Sequence, residues 1–213
     1  PVMSAHQNNP TQLISFVRKF IALLAFLTFP TMLLLIIIAK PLVVLLFSEK
    51  WVGCAPYFQI LCLGGIAICL QSINYYAVAA IGRSKELFKW TVIKRGIALL
   101  LLFAGCFFGI YGLLIATTLG AWVIYFCNSY LVSVLLNFSV RQQLRDMLPI
   151  LLISAVSFAI AYIPRLIFGS EMYILHAVLF VAAYIGISYK FDNGTLTNLK
   201  QLLHNIRNND KGL

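Results

Sequence analysis

Residues 54–95 read CAPYFQILCLGGIAICLQSINYYAVAAIGRSKELFKWTVIKR, and this stretch decides the fold. It begins as a charge-free run from Cys54 to Gly82 and ends in a turn rich in Lys and Arg, Gly82–Arg95. A helix rises about 1.5 Å per residue and the hydrocarbon core of a bilayer is about 30 Å thick, so the run can cross a membrane with tilt. Since cytoplasmic loops of membrane proteins carry the excess of Lys and Arg, the turn is predicted to be cytoplasmic.

The composition of the whole chain indicates an integral membrane protein. Hydrophobic residues make up 62% of the 213 residues and charged residues 10%, against about 45–50% and about 25% in soluble domains. The net charge is +10, but the basic residues stand at the ends of apolar runs, as topology signals do, so no nucleic-acid partner is expected. The five Cys form no C-x-x-C pair, so neither a disulfide framework nor a metal site is predicted, and no cofactor is expected.

The pattern of apolar runs predicts an all-α, polytopic membrane helix bundle with six transmembrane helices over residues 20–189. The six spans are predicted at about 20–39, 54–82, 91–109, 113–136, 147–168 and 172–189. Between the third and fourth spans, residues 109–112 read GIYG and are predicted to form the tight turn of a helical hairpin. A polar cytoplasmic segment, 1–19, precedes the bundle, and a cytoplasmic tail, 190–213, follows it.

The distribution of basic residues orients the bundle. With the Gly82–Arg95 turn inside, thirteen of the 16 Lys and Arg residues fall on the inner side, and only Lys40, Lys50 and Arg165 fall outside. This asymmetry predicts that both ends of the chain lie in the cytoplasm. The apolar piece 42–47 is too short to cross and is expected to lie in the outer interface with Trp51.

No charged chemistry is predicted inside the membrane. All six acidic residues lie outside the predicted spans: Glu49, Glu86, Asp146, Glu171, Asp192 and Asp210. A proton or cation relay normally needs an ionisable group within the spans, so no ion-coupling site is expected here. The sequence also offers no Ser/His/Asp grouping, metal-ligand spacing or phosphate-binding loop, so the chain is not expected to be an enzyme.

Uncharged polar residues within the spans are the candidate site. Gln71, Asn74 and Tyr75 share one helical face by their i, i+3, i+4 spacing, and Asn128 lies on the fourth span. An unsatisfied amide in hydrocarbon is costly, so these side chains should face other helices or a water-filled cavity. Interhelical hydrogen bonding and a sugar-binding cavity both remain open. Pro30, inside the first span, is a candidate hinge or a static kink.

Several short patterns occur together in an order that resembles a known family. They are Pro1-x-x-Ser4, mid-span Pro30, Ala39-x-Pro41, Leu45-Leu46-Phe47, Lys50-Trp51 and Ala80-Ile81-Gly82-Arg83. Over about residues 1–163 the chain resembles the polysaccharide biosynthesis proteins, or O-antigen flippases, of the multidrug/oligosaccharidyl-lipid/polysaccharide exporter superfamily. The sequence departs from the family at Ser48, where members usually carry Gly.

The resemblance implies a fold and a function. Members have two related, inverted-V bundles of about six helices each, and the chain looks like the C-terminal lobe of that plan. The full protein would then flip an undecaprenyl-pyrophosphate-linked oligosaccharide across the bacterial inner membrane by rocking one bundle against the other. The expected partners are that lipid-linked oligosaccharide, membrane lipids and an N-terminal bundle of the same chain. The diphosphate-binding cations are expected to come mainly from that other bundle.

Three other functions remain open at this stage. A cation-coupled multidrug exporter of the same superfamily would have an acidic residue in the other spans. A membrane-embedded glycan polymerase or acyltransferase would have a large outer loop with catalytic residues, whereas the outer loops predicted here are short. A non-transporting subunit of a membrane assembly would not support glycan transfer at all.

Overall fold

The protein is described by a computed structural model that covers residues 10–168 and 172–191. The N-terminal part of the predicted cytoplasmic segment 1–19 and nearly all of the predicted tail 190–213 lie outside the described residues. The pattern Pro1-x-x-Ser4 lies outside them as well.

The described residues form an all-α bundle, as the apolar runs predict. Its elements are α1 (Pro10–Ile37), α2 (Ala39–Phe47), a 3-10 helix (Glu49–Cys54), α3 (Ala55–Ala80), α4 (Ser84–Cys106), α5 (Gly109–Leu136), α6 (Val140–Phe168) and α7 (Tyr173–Lys190). Apolar positions occur all round each long helix, as expected for helices surrounded by protein and lipid rather than by water. The prediction of an all-α, polytopic helix bundle is confirmed.

Five helical segments of the described residues are long and apolar enough to cross a membrane. They are Thr11–Ile37, Glu49–Ala80, Gly109–Leu136, Val140–Pro164 and Tyr173–Lys190. The predicted third span, 91–109, falls on α4, which is not among the five because Lys89, Lys94 and Arg95 make its first half polar. The count of six spans therefore stays a prediction, and α4 is the helix that decides it.

Several helices begin well before the spans predicted within them. α1 begins at Pro10 rather than near residue 20, α4 at Ser84 rather than near 91, and α6 at Val140 rather than near 147. The reason is that Lys, Arg and Gln are good helix formers, so a charged residue ends an apolar run without ending the helix. Hydropathy therefore indicates which residues lie within the membrane, but it does not indicate where the backbone hydrogen bonds of a helix begin or end.

The hairpin turn between α4 and α5 lies earlier than the sequence predicts. Residues 109–112 belong to α5, and the reversal occurs at Phe107 and Phe108. Gly109 adopts a φ of +69°, which side-chain-bearing residues rarely do, and so allows the chain to enter α5 directly. Gly112 lies outside the turn and packs against Gly105 of α4: a Cβ on Gly105 would lie 2.7 Å from the Gly112 carbonyl oxygen.

Helix α1 packs against α3 and α6 in the core and against α7 at one edge of the bundle. The buried core is formed by apolar side chains of α1, α3, α5 and α6, and α7 packs on α6 and α1 at one edge. At one end of the bundle Arg18 of α1 donates two hydrogen bonds to Asp146 of α6, one of them from Nη2 at 2.8 Å. α4 contacts α5 along its length and meets α3 only slightly, so it lies at the periphery.

The segment between α1 and α3 is short and apolar. α2 exposes Leu45, Leu46 and Phe47, and the 3-10 helix exposes Trp51. These side chains suit the interfacial position predicted for residues 42–47 and Trp51. Ser48, where the family usually carries Gly, has a φ of 80°, so the position that joins the two elements needs a backbone conformation that glycine adopts most readily.

Candidate functional site

The candidate residues of α3 fall into two environments rather than one. Gln71 and Tyr75 line an open pocket, whereas Asn74 is fully buried and does not line it. Positions 71, 74 and 75 share a broad face of α3, but that face is wide enough to reach both the core and the pocket beside it. Asn74 therefore belongs to the packed core and not to the pocket.

Asn74 joins three helices in the packed interior. Its side-chain nitrogen donates to the Ser129 hydroxyl of α5 at 2.9 Å and to the Gln143 side-chain oxygen of α6 at 3.0 Å. Gln143 is itself fully buried and donates from Nε2 to the Phe138 carbonyl at 3.3 Å. Asn74 thus provides the interhelical hydrogen bonding that the sequence left open as one of two alternatives.

A pocket of about 270 Å³ opens between α3, α4 and α5. Its lining is mostly polar: Gln71, Ser72, Tyr75, Tyr76, Thr91, Lys94, Arg95 and Ile124. Hydroxyl, amide, phenol and cationic groups from three helices therefore converge on one opening, with no carboxylate among the lining residues. Pockets that bind small polar groups combine convergent polar side chains of this kind with apolar walls.

Lys94 is the charged group at the base of this site. It is only 3% exposed, and its Nζ donates to the Asn128 side-chain oxygen at 2.6 Å. Asn128 in turn donates from Nδ2 to the Gln71 oxygen at 3.1 Å. The ammonium also lies 5.3 Å from the centre of the Tyr75 ring, within the range of a cation–π interaction. Lys94 thus brings together three of the four candidate residues: Gln71, Tyr75 and Asn128.

The charge of Lys94 has no carboxylate partner in the described part of the chain. The ion pairs found there are Arg18–Asp146 and Arg83–Glu86, and neither includes Lys94. A buried ammonium held only by one amide oxygen and one aromatic face is incompletely compensated. An anion that enters the pocket would compensate the charge of this ammonium.

Sequence reasoning counts Lys94 among the topology charges of the Gly82–Arg95 turn and so misses its role. The signal that could have identified it is helical spacing. Leu87, Lys94 and Gly105 are the buried residues of α4, and their separations of 7 and 11 are close to whole numbers of turns. Lys94 therefore faces α5, whereas Lys89 and Arg95 are exposed, with Arg95 at the rim of the same pocket.

Pro30 lies inside α1 without ending it. A residue at position 30 would normally donate to the carbonyl of Phe26, and proline has no N–H with which to do so. The Tyr184 hydroxyl of α7 donates to that carbonyl instead, at 2.8 Å. The freed backbone group is thus satisfied by a neighbouring helix, and whether Pro30 acts as a hinge stays a prediction.

No group of three or more His, Cys, Asp or Glu side chains that could hold a metal ion occurs among residues 10–168 and 172–191. The Cys residues of this part are all free. The pocket of Lys94 is the candidate functional site because polar side chains of three helices converge there.

Comparison with known proteins supports the predicted family. Residues 1–56 match the model of the family described as "Polysaccharide biosynthesis protein". The predicted resemblance is confirmed over this segment. A curated protein of Klebsiella pneumoniae, described as "Uncharacterized membrane protein in cps region", is 37% identical over 65 residues, which are 30% of this chain and 13% of the relative. No solved structure matches the chain significantly.

These matches, with the apolar helices, support a multi-pass membrane protein of polysaccharide biosynthesis. The family match ends at residue 56, before the pocket begins at Gln71. The role of the pocket is therefore inferred from the geometry of the pocket itself.

Proposed function

We propose that the protein to which this chain belongs flips lipid-linked oligosaccharide units across the bacterial inner membrane, for capsule, O-antigen lipopolysaccharide or exopolysaccharide biosynthesis. The observation that carries the proposal is the buried, carboxylate-free Lys94 at the base of a polar pocket between α3, α4 and α5. The partner is an undecaprenyl-pyrophosphate-linked oligosaccharide. Surrounding membrane lipids and a second helix bundle, the N-terminal one of the family plan, complete the transporter.

The pocket offers what the head group of such a lipid needs. A diphosphate is anionic and would complete the charge of Lys94, with Arg95 at the rim adding a second cation. The Gln71 amide can exchange hydrogen bonds with sugar hydroxyls, and the rings of Tyr75 and Tyr76 provide apolar faces for a pyranose. Each of these contacts replaces a contact with water, which lowers the cost of taking the head group into the membrane.

Weak and exchangeable contacts suit transport better than tight ones. Asn128 already shares its amide between Lys94 and Gln71, so an incoming anion competes with existing hydrogen bonds and leaves without stranding either amide. A site of this kind binds strongly enough to admit the head group and weakly enough to release it.

Transport without catalysis is part of this proposal. Hydrolysis or glycosyl transfer by a pair of carboxylates requires acidic groups at the site, and the described lining of the pocket contains none. A cation-coupled exporter is a poorer fit, because the buried ammonium would repel a cationic drug or coupling ion.

The proposal is tested by complementation in a bacterial strain that lacks the corresponding flippase. The full-length wild-type gene should restore surface polysaccharide. Lys94→Met should not restore it, whereas Lys89→Met, which removes an exposed charge of the same helix outside the pocket, should. Membrane levels of each variant are measured alongside.

Each alternative outcome has a defined meaning. Failure of the wild-type gene to restore surface glycan would contradict flippase function and favour a non-transporting subunit. Full activity of Lys94→Met would show that the pocket is not the carrier site. Accumulation of unpolymerised units at the surface of the strain that lacks this gene would show that flipping does not need it and would indicate a polymerase.

A further inference from the structure

A second site stands at the start of α6, away from the pocket of Lys94. There an open groove of about 720 Å³ is lined by Ser139, Arg141, Gln142, Leu144, Arg145 and Leu148. The groove combines two cations with two leucines, and its position has no part in the proposed transport step. It lies at the same end of the bundle as the Arg18–Asp146 ion pair.

The two arginines carry positive charge that the described chain does not neutralise. Asp146, the acidic residue next to Arg145 in sequence, is already engaged by two hydrogen bonds from Arg18. The other ion pair of the described residues, Arg83–Glu86, lies within the first turn of α4. Arg141 and Arg145 are exposed and form no ion pair among the described residues.

The polar groups beside the arginines are occupied by capping of the helix. Ser139 accepts a hydrogen bond from the Gln142 backbone N–H at 3.2 Å, and the Gln142 side chain accepts one from the Ser139 N–H at 3.0 Å. This reciprocal capping box fixes the first turn of α6. The guanidinium groups are therefore the cationic hydrogen-bond donors of the groove, and they extend from a helix end that is fixed by its cap.

The spacing of the four larger side chains places cations and apolar groups on one face. Arg141 and Arg145 are separated by four residues, as are Leu144 and Leu148, so all four lie within an arc of about 100°. Leu144 is 42% exposed and Leu148 is 51% exposed. Residues 147–164 carry no charge, so the arginines stand where the apolar part of α6 meets the head-group region, with Leu148 one turn deeper.

We propose that this groove binds an anionic phospholipid, with the head-group phosphate on Arg141 and Arg145 and an acyl chain along Leu144 and Leu148. Arginine binds phosphate oxygens through paired N–H donors, and basic pockets at helix ends bind anionic head groups. A free phosphate ion shares the head-group chemistry but would make no use of the leucines. The bound lipid would hold the cytoplasm-facing end of α6 at a fixed depth in the membrane.

The test uses the full-length protein in nanodiscs of phosphatidylcholine with a minor fraction of phosphatidylglycerol, and native mass spectrometry counts the lipids that remain bound. Wild-type protein should retain phosphatidylglycerol in preference to phosphatidylcholine. Arg141→Gln/Arg145→Gln should reduce that preference by roughly fivefold for each arginine removed. The matched control, Lys85→Gln/Lys89→Gln, removes two exposed charges of the same spacing from α4 and should retain the preference.

Three results would overturn the proposal. One is the absence of any preference for phosphatidylglycerol in the wild type. Another is an equal loss in the arginine and lysine variants, which would indicate a general surface charge rather than a site. The third concerns the source of the phosphate: displacement of the lipid by millimolar inorganic phosphate, or equal binding of a short-chain phosphatidylglycerol, would assign the groove to a free anion. The outcome is independent of whether the protein is a flippase.

Discussion

The Tyr184 hydroxyl of α7 donates a 2.8 Å hydrogen bond to the Phe26 carbonyl of α1. Pro30 has no backbone N–H and so cannot donate to this carbonyl. A backbone group left free by proline within hydrocarbon would be costly, and here a side chain of a neighbouring helix takes the place of the missing N–H. The position of α7 on α1 and the presence of proline in α1 are therefore linked.

Removal of the Tyr184 hydroxyl should destabilise the protein more when Pro30 is present than when it is replaced by alanine. Tyr184→Phe should lower the free energy of unfolding by about 1 kcal/mol in the wild type. In a Pro30→Ala background the cost should be smaller, because the alanine has a backbone N–H that supplies the bond to Phe26. A double-mutant cycle of unfolding in detergent measures the difference. Equal costs in both backgrounds would contradict the linkage.

Asn128→Asp should keep the fold and weaken anion binding at the pocket. The new carboxylate would pair with Lys94 at the distance now held by the amide oxygen, 2.6 Å, while the Gln71 amide can rotate to donate to its other oxygen. With its charge neutralised internally, Lys94 would bind a polyprenyl diphosphate about tenfold more weakly or worse. Binding and the unfolding temperature are measured together. Unchanged affinity would contradict the assigned role of Lys94.

Asn74 should matter for stability and not for the pocket. Asn74→Ala leaves the Gln143 oxygen without its donor in a fully buried setting, which should cost about 1–3 kcal/mol. The control is Ser72→Ala, whose hydroxyl bonds only to Cys69 of its own helix and whose removal should change stability by less than about 0.5 kcal/mol. Unfolding in detergent compares the two. A loss of ligand affinity in folded Asn74→Ala would place this residue in the binding site after all.

The α4–α5 hairpin depends on the absence of a side chain at Gly105. A Cβ there would lie 2.6 Å from the Ala116 Cβ and 2.7 Å from the Gly112 oxygen, so Gly105→Ala must push the helices apart and should cost about 1–3 kcal/mol. A Cβ added to Gly96 of the same helix would meet nothing within 4 Å. Gly96→Ala should therefore stabilise α4 by up to about 1 kcal/mol. Opposite signs in thermal unfolding are the expected result.

Cysteine labelling decides whether α4 crosses the membrane. Cys106, exposed at the far end of α4, is kept as the single cysteine in one variant, and Ser84→Cys is the single cysteine in another. A membrane-impermeant maleimide applied to intact spheroplasts should label Cys106 and spare position 84. Protection of both would leave five spans, and labelling of position 84 would invert the predicted orientation.

The sequence predicted the long helices because length and lack of charge leave few alternatives in a bilayer. The helix ends were predicted less well. At the starts of α1, α4 and α6, Lys and Arg residues lie outside the apolar run but still belong to the helix. The pairing of Gln71 with Asn128 was only suggested by their polarity. Gln143 was not identified at all, because in sequence it stands among the polar residues of a loop.

What the sequence by itself determined is the class of molecule: an all-α membrane bundle with polar residues on α3 and α5, and a resemblance to polysaccharide biosynthesis proteins. Apolar runs and charged ends are local properties, so they can be read along the chain. The tertiary structure alone decided that Lys94 donates a hydrogen bond to Asn128, and that Asn74 is buried while Tyr75 is partly exposed. Those differences depend on how α4 and α5 rotate and pack against α3, which is set by contacts between residues far apart in sequence.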